Sequence, residues 1–396
     1  MRLWPFRGRR VAPAPPAADD TLVTEDVLRR SLEDVLAVRG RQIRGGTIAF
    51  RGDLLVAPAR ALDVLLDRFG RFGYTPFLRA EGDGVVVQAW PLADARPPQR
   101  VRTNILLFAL TCLSVLAAGA QFFGSPTFDA LRTSPSLVRL LTGAPFALTL
   151  MGILVVHEFG HYFTARHHRA AVSLPYFIPL PFGLGTLGAI ILMRSPARTR
   201  DAMFDIAVAG PLAGLAVALP AMILGLAWSS IAPIPAGGYA AFGDSLLTGL
   251  LAWLRFGAVP AGHMIYTHPV ADAAWAGFLV TALNLFPVGQ LDGGRISYAL
   301  FGRRHGAIGR VTVAALLAFG AVLLGWSLLA GKGVAASVNG SLNWFVWAGL
   351  IYFVVRFRES PPLDDLTPLS AGRRLLGAFC FFLLVLLIPP FVFREG

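Results

Sequence analysis

Two histidines spaced four residues apart around a glutamate, His157-Glu158-Phe159-Gly160-His161, sit inside an apolar stretch of this chain. On a helix, positions four apart share a face, so both imidazoles can reach one metal ion while Glu158 reaches a water beside it. The chemistry this H-E-x-x-H spacing suits is zinc-assisted hydrolysis, with Glu158 as general base. A catalytic zinc takes three protein ligands and leaves one position open. Ionisable residues deep in apolar segments are scarce here, and Asp292, in Asn284-Leu-Phe-Pro-Val-Gly-Gln-Leu-Asp-Gly-Gly294, is the expected third ligand. The interfacial alternative for Asp292 is a helix cap over the residues that follow it.

Those groups need a scaffold suited to lipid. Of 396 residues, 55% are hydrophobic and only 15% charged, too apolar for a soluble protein of this length and too ordered in pattern for a disordered one. The formal charge of +12 comes from basic residues that mostly flank apolar segments, the signature of membrane topology, so no nucleic-acid partner is expected. Cys112 and Cys380 both lie in apolar runs and read as buried hydrophobes, neither a disulfide nor a metal pair.

The fold class expected is an all-α polytopic membrane protein of six to seven transmembrane helices with a re-entrant Gly-rich hairpin, plus a small α/β N-terminal domain. Residues 1–20 read as a disordered tail rich in Arg, Pro and Ala. Residues 21–98 read as a small soluble α/β domain, with helices at 25–38 and 59–69, an extended run at 47–56, and strands at 74–78 and 85–90 joined by Gly-Asp-Gly. It carries no catalytic constellation, which points to docking of a regulatory partner. Residues 99–396 form the transmembrane domain, with motif core 145–310 and apolar segments near 104–123, 145–165, 203–228, 273–292, 310–330, 341–356 and 375–393. Between the second and third, 174–193 is apolar but punctuated by Pro and Gly, tolerable at membrane depth only against protein or a wet cavity. Arg collects on one side of the segments, at 166, 169, 194, 198, 200, 295, 303, 304 and 310 among others, and that side is expected to be cytoplasmic and to hold the N-terminal domain. Asp201, Asp205 and Asp272 lie near segment ends and read as solvated or Arg-paired carboxylates. His167, His168, His263, His268 and His305 show no ligand spacing for a second metal.

With HEFGH on one apolar helix, NLFPVGQLDGG on a later one, PFGLGTLGA between them and AGPLAG at 209–214, the chain resembles the site-2 protease family of intramembrane zinc metalloproteases, M50-like, in the branch with a small N-terminal domain and no PDZ insertion. The resemblance implies one catalytic Zn2+ held by His157, His161 and Asp292, with Glu158 passing a proton from water to the leaving amine. It implies a transmembrane protein substrate in the lipid bilayer, contacted by Asn284 and by a loop containing Gly183, Gly185 and Gly188. Where some relatives carry Asn at the end of the A-G-P pattern, this chain has Gly214. The implied setting is a bacterial cytoplasmic membrane. The rival readings are a catalytically silent membrane scaffold and an ion or metal transporter using the same polar cluster.

Overall fold

A computed structural model describes residues 18–44, 46–91, 101–122, 140–234, 240–331, 334–355 and 361–395. The expected tail falls almost entirely outside them. The chain divides into two compact units.

The first unit begins with α1 (Ala18–Arg30), β1 (Leu36–Arg44), β2 (Thr47–Leu54), α2 (Pro58–Gly70), β3 (Tyr74–Glu81) and β4 (Gly84–Pro91). The strands form one antiparallel sheet in the order β1-β2-β4-β3. Alternation puts Ile48 and Phe50 of β2 on its inner face, where Leu62, Leu65 and Phe69 of α2 meet them at helical spacing. The Gly-Asp-Gly turn joins β3 to β4, with Gly82 at φ 59°. The helix expected to run to residue 38 stops at Arg30, because 36–44 pairs with β2 instead. The alternation of that strand is masked by Arg39, Arg41 and Arg44, as suits a sheet edge.

Two distant stretches complete this unit, Pro196–Arg200 and Ser360–Leu369. Leu78 of β3 donates its N–H to Leu363 O (2.7 Å), and Asp365 N–H returns to Leu78 O (3.0 Å). On the far side, Leu363 and Asp364 donate to Ala197 O (2.9 Å) and Arg198 O (2.8 Å), so 363–365 is a parallel strand between β3 and 197–199. Leu363 enters the core with Leu366 packed beside it, Arg200 pairs with the buried Asp365 (2.9 Å), and Arg198 pairs with Asp63. Leu363→Ala is therefore expected to cost this unit about 2–3 kcal/mol. The check is hydrogen exchange at Leu78 and its neighbours in β3, which should quicken. Unchanged protection there would mean that the added strand is dispensable.

The second unit holds α3 (Val101–Phe122), α4 (Ala144–His167), α5 (Arg200–Ala227), α6 (Leu246–Phe256), α7 (Pro269–Asn284), α8 (Asp292–Phe301), α9 (His305–Leu329), α10 (Val334–Leu350) and α11 (Ala371–Leu387), apart from residue 200. Among the described residues four helical stretches are long and apolar enough to cross a bilayer: Val101–Ala120, Ala144–His167, Arg200–Ala227 and Asp292–Leu329. The chain is a multi-helix integral membrane protein. Large side chains such as Leu148 and Phe163 of α4 are exposed, as a lipid-facing surface allows.

The Pro- and Gly-punctuated stretch is a two-stranded antiparallel hairpin, β5 (Tyr176–Pro179) with β6 (Thr186–Ile190). Polar residues of α3 hold it: Asn104 Nδ2 donates to Pro175 O (2.8 Å), and Ser114 Oγ to Leu180 O (2.6 Å). At Gly185, where φ is 81°, a Cβ would meet Val115 Cα at 2.5 Å, so both conformation and packing demand glycine. The apolar segment at 273–292 is no single helix, because α7 ends at Asn284 and a turn over 285–291 precedes α8.

Candidate metal centre

The H-E-x-x-H residues occupy the middle of α4, all three buried. His161 is oriented from behind. Its Nδ1 lies 2.6 Å from the carbonyl of Ile206 on α5, so Nδ1 carries the proton and Nε2 keeps its lone pair for a metal. Such close approach of α4 to α5 requires small residues. A Cβ at Gly210 would overlap the His161 ring at Nε2, one at Gly214 would meet His157 Cβ and Nδ1 at 3.2 Å, and one at Gly160 would meet Ala209 O at 2.7 Å. The Gly210 and Gly214 pair thus does more than pack helices: it gives the two imidazoles their space.

Asp292 comes to the same point from the first turn of α8, where a carboxylate is favoured by the helix dipole. Its approach depends on the turn before it. Gly289 takes φ 51°, and a Cβ at Gly293 or Gly294 would collide with the carbonyls of Leu285 or Gly289, so the Gly pair lets the turn fold back onto the helix start.

The resulting geometry is that of a metal site. His157 Nε2 and His161 Nε2 are 3.2 Å apart, and Asp292 Oδ2 lies 3.5 Å from the first and 3.2 Å from the second. Ligands about 2.0–2.1 Å from a tetrahedral zinc are about 3.3 Å from one another, so the three donors already stand at the required edges. Two imidazoles and one carboxylate also match zinc by donor type. Among the described residues this is the one His/Cys/Asp/Glu cluster able to hold a metal.

A model of peptidase family M50 matches residues 145–328, a span containing all three ligands. Over 381 residues the chain is 31% identical to "Probable zinc metalloprotease EGY2, chloroplastic" of Oryza sativa subsp. indica, with 92% of this chain and 65% of that one covered. Over residues 145–328 the chain is similar to peptidase family M50. The Arabidopsis thaliana protein of the same name is 30% identical over 385 residues, covering 93% of this chain and again 65% of its own length. The chain therefore spans just under two thirds of these relatives. Among solved structures, "Site-2 Protease from Methanocaldococcus jannaschii" matches 65% of this chain and 92% of that one, at 16% identity and a TM-score of 0.28. The span that matches family M50 thus holds His157, His161 and Asp292 as a cluster able to bind one metal ion.

The remaining expected residues divide. Asn284, at the last position of α7, places its amide nitrogen 3.3 Å from His157 Nε2, at the edge of the metal centre. Gly183, Gly185 and Gly188 all have positive φ and shape the hairpin, with open space around Gly183 and Gly188. Thr186, not singled out in the sequence, pins the start of β6 through Ile178 O (2.9 Å) and the Gly188 N–H (2.9 Å). Tyr162 accepts from Arg166 one turn on and belongs to the surface of α4. The Arg-paired reading of Asp201 and Asp205 is met. Arg373 of α11 reaches Asp205 at 2.6 and 2.7 Å and Asp201 at 2.9 Å, and His168 joins Asp205 at 2.9 Å. This clasp ties α11, the start of α5 and the end of α4 together, next in sequence to the Ile206 carbonyl that orients His161. Nothing in the sequence marked that carbonyl, because a backbone acceptor has no residue signature.

Proposed function

We propose that this chain is an intramembrane zinc metalloprotease that hydrolyses peptide bonds within or near transmembrane segments of other proteins. The observation that carries the reading is the three-donor triangle inside the H-E-x-x-H helix, with donor separations of 3.2 to 3.5 Å. Zinc there supplies Lewis acidity, polarising a scissile carbonyl and bringing the pKa of water down to about 7. Glu158, one residue beyond His157 and buried, is placed to take the water's proton and hand it to the leaving amine. Asn284 offers an amide donor to the substrate backbone or the developing oxyanion. A helical substrate must unwind to expose a peptide bond, and β6 provides an edge for the extended strand that results, with Leu187 and Ile190 exposed along it. Gly183, Gly185 and Gly188 are the substrate-side residues of that loop.

In this reading the chain crosses the membrane six or seven times, with α3, α4, α5, α9, α10 and α11 as spans and the α7–turn–α8 segment reaching the zinc from within. The β5–β6 hairpin is re-entrant, as backbone packed against protein can be. The Arg-rich side is cytoplasmic and carries a 21–98 domain that receives a regulatory partner, and the setting is a bacterial cytoplasmic membrane.

The test is cleavage of a transmembrane reporter by the purified full chain with its zinc quantified. One zinc per chain, cleavage abolished by 1,10-phenanthroline and restored by added zinc are expected. Folded protein that takes up no zinc, or zinc-loaded protein that moves ions across proteoliposomes without cleaving any transmembrane segment, would overturn the proposal. Asn284→Ala is expected to lower kcat by about tenfold to a thousandfold while zinc stays bound.

A further inference from the structure

Between α9, α10 and α11 lies a cavity of about 850 Å³, separate from the metal ligands. Its lining is apolar almost throughout: Ile308, Val311, Leu316 and Phe319 of α9 face Trp344 of α10 and Leu384 of α11. The hydroxyl of Thr312 is turned back to Ile308 O (3.0 Å), so it offers the cavity no free donor. Among the described residues of the lining, one is charged, the exposed Arg304 at one end, and none is a carboxylate. From Arg304 the trough follows one face of α9 to Phe319, about 21 Å at 1.5 Å per residue over 305–319.

We propose that this trough binds an anionic phospholipid, acyl chain laid along α9 and phosphate on Arg304. The lining decides between occupants: apolar walls with a cation at one end match the polarity of a lipid, acyl chain along the walls and headgroup at the end. The cation selects the charge of the headgroup, since basic pockets between helices suit anionic lipids. The site also has a route to the chemistry: Phe286 and Pro287, in the turn between Asn284 and Asp292, form part of its wall. A lipid in the trough backs the turn that presents a zinc ligand.

The experiment uses the full chain in phosphatidylcholine nanodiscs doped with phosphatidylglycerol carrying a diazirine in one acyl chain, with adducts mapped by peptide mass spectrometry. Adducts concentrated within 304–319 and 384–388 are expected. Arg304→Gln should reduce them about fivefold, the effect of one basic residue near an anionic surface. Phosphatidylcholine bearing the same diazirine should label the trough weakly and without regard to Arg304, and Val311→Trp, which fills the trough, should remove the adducts of both lipids. Excess glycerol phosphate should not compete, which separates a lipid site from a free-phosphate site. Equal labelling by the two lipids, indifference to Arg304→Gln, or displacement by a transmembrane peptide would overturn the proposal. The readout is binding and does not depend on proteolysis.

Discussion

Glu158→Gln is expected to slow peptide hydrolysis by about a hundredfold to ten-thousandfold while leaving the zinc content unchanged. The substitution keeps the shape of the side chain and removes its ability to accept and return a proton. None of the three ligand atoms belongs to Glu158, so the donor triangle of 3.2 to 3.5 Å remains. The loss should fall on kcat, because the proton is transferred in the chemical step and not on binding. Zinc by atomic emission and single-turnover cleavage of one reporter, measured on the same preparations, check it. A variant with full zinc and undiminished kcat would assign the base elsewhere; a variant without zinc would make Glu158 a part of the metal site itself.

Gly210→Ala should act by another route, on the metal site itself. The added methyl would overlap the His161 ring at the nitrogen that faces the metal. That ring cannot easily turn aside, since its other nitrogen is held by Ile206 O at 2.6 Å. Relief must come from a shift of α5 against α4, and overpacking of this kind costs about 1–3 kcal/mol in stability. Zinc affinity should fall by at least about tenfold to a hundredfold, the range seen when groups that orient a metal ligand are disturbed. Gly214→Ala, whose Cβ would meet His157 at 3.2 Å, is the internal control, and a few tenths of an ångström of give should suffice for it. Zinc titration against a competing chelator separates the two. Equal affinities for both variants would show that α5 is not what shapes the imidazole pair.

The ligands were legible in the sequence because helical spacing is local: residues 157 and 161 must share a face wherever α4 packs. Asp292 was legible for a different reason, as a carboxylate that an apolar segment would otherwise exclude. The glycines of α5 were visible as a small-residue pair, but their partners were not, since nothing local says which helix lies opposite. The zinc-facing tautomer of His161 depends on a main-chain carbonyl, which any residue at 206 would supply. In the first unit, α2, β2, β3 and β4 follow from periodicity, whereas β1 is an edge strand whose arginines hide the alternation. The strand at 363–365 was out of reach altogether, because its pairing with β3 spans almost the whole chain.

That last pairing bears on the order in which the protein can be made. Residues 36–91 leave the ribosome with β3 at the margin of their sheet, yet the segment that covers this margin follows some 270 residues later. At about 5–20 residues per second, synthesis leaves β3 uncovered for about 15 to 55 seconds, while apolar helices are being inserted into the bilayer. A nascent chain in that interval presents an open strand edge and a core without Leu363, the state in which pairing with a wrong partner is easiest. The unit begun before the helices of the second is thus completed only after most of them, and its closure requires that 196–200 and 360–369 have both been made.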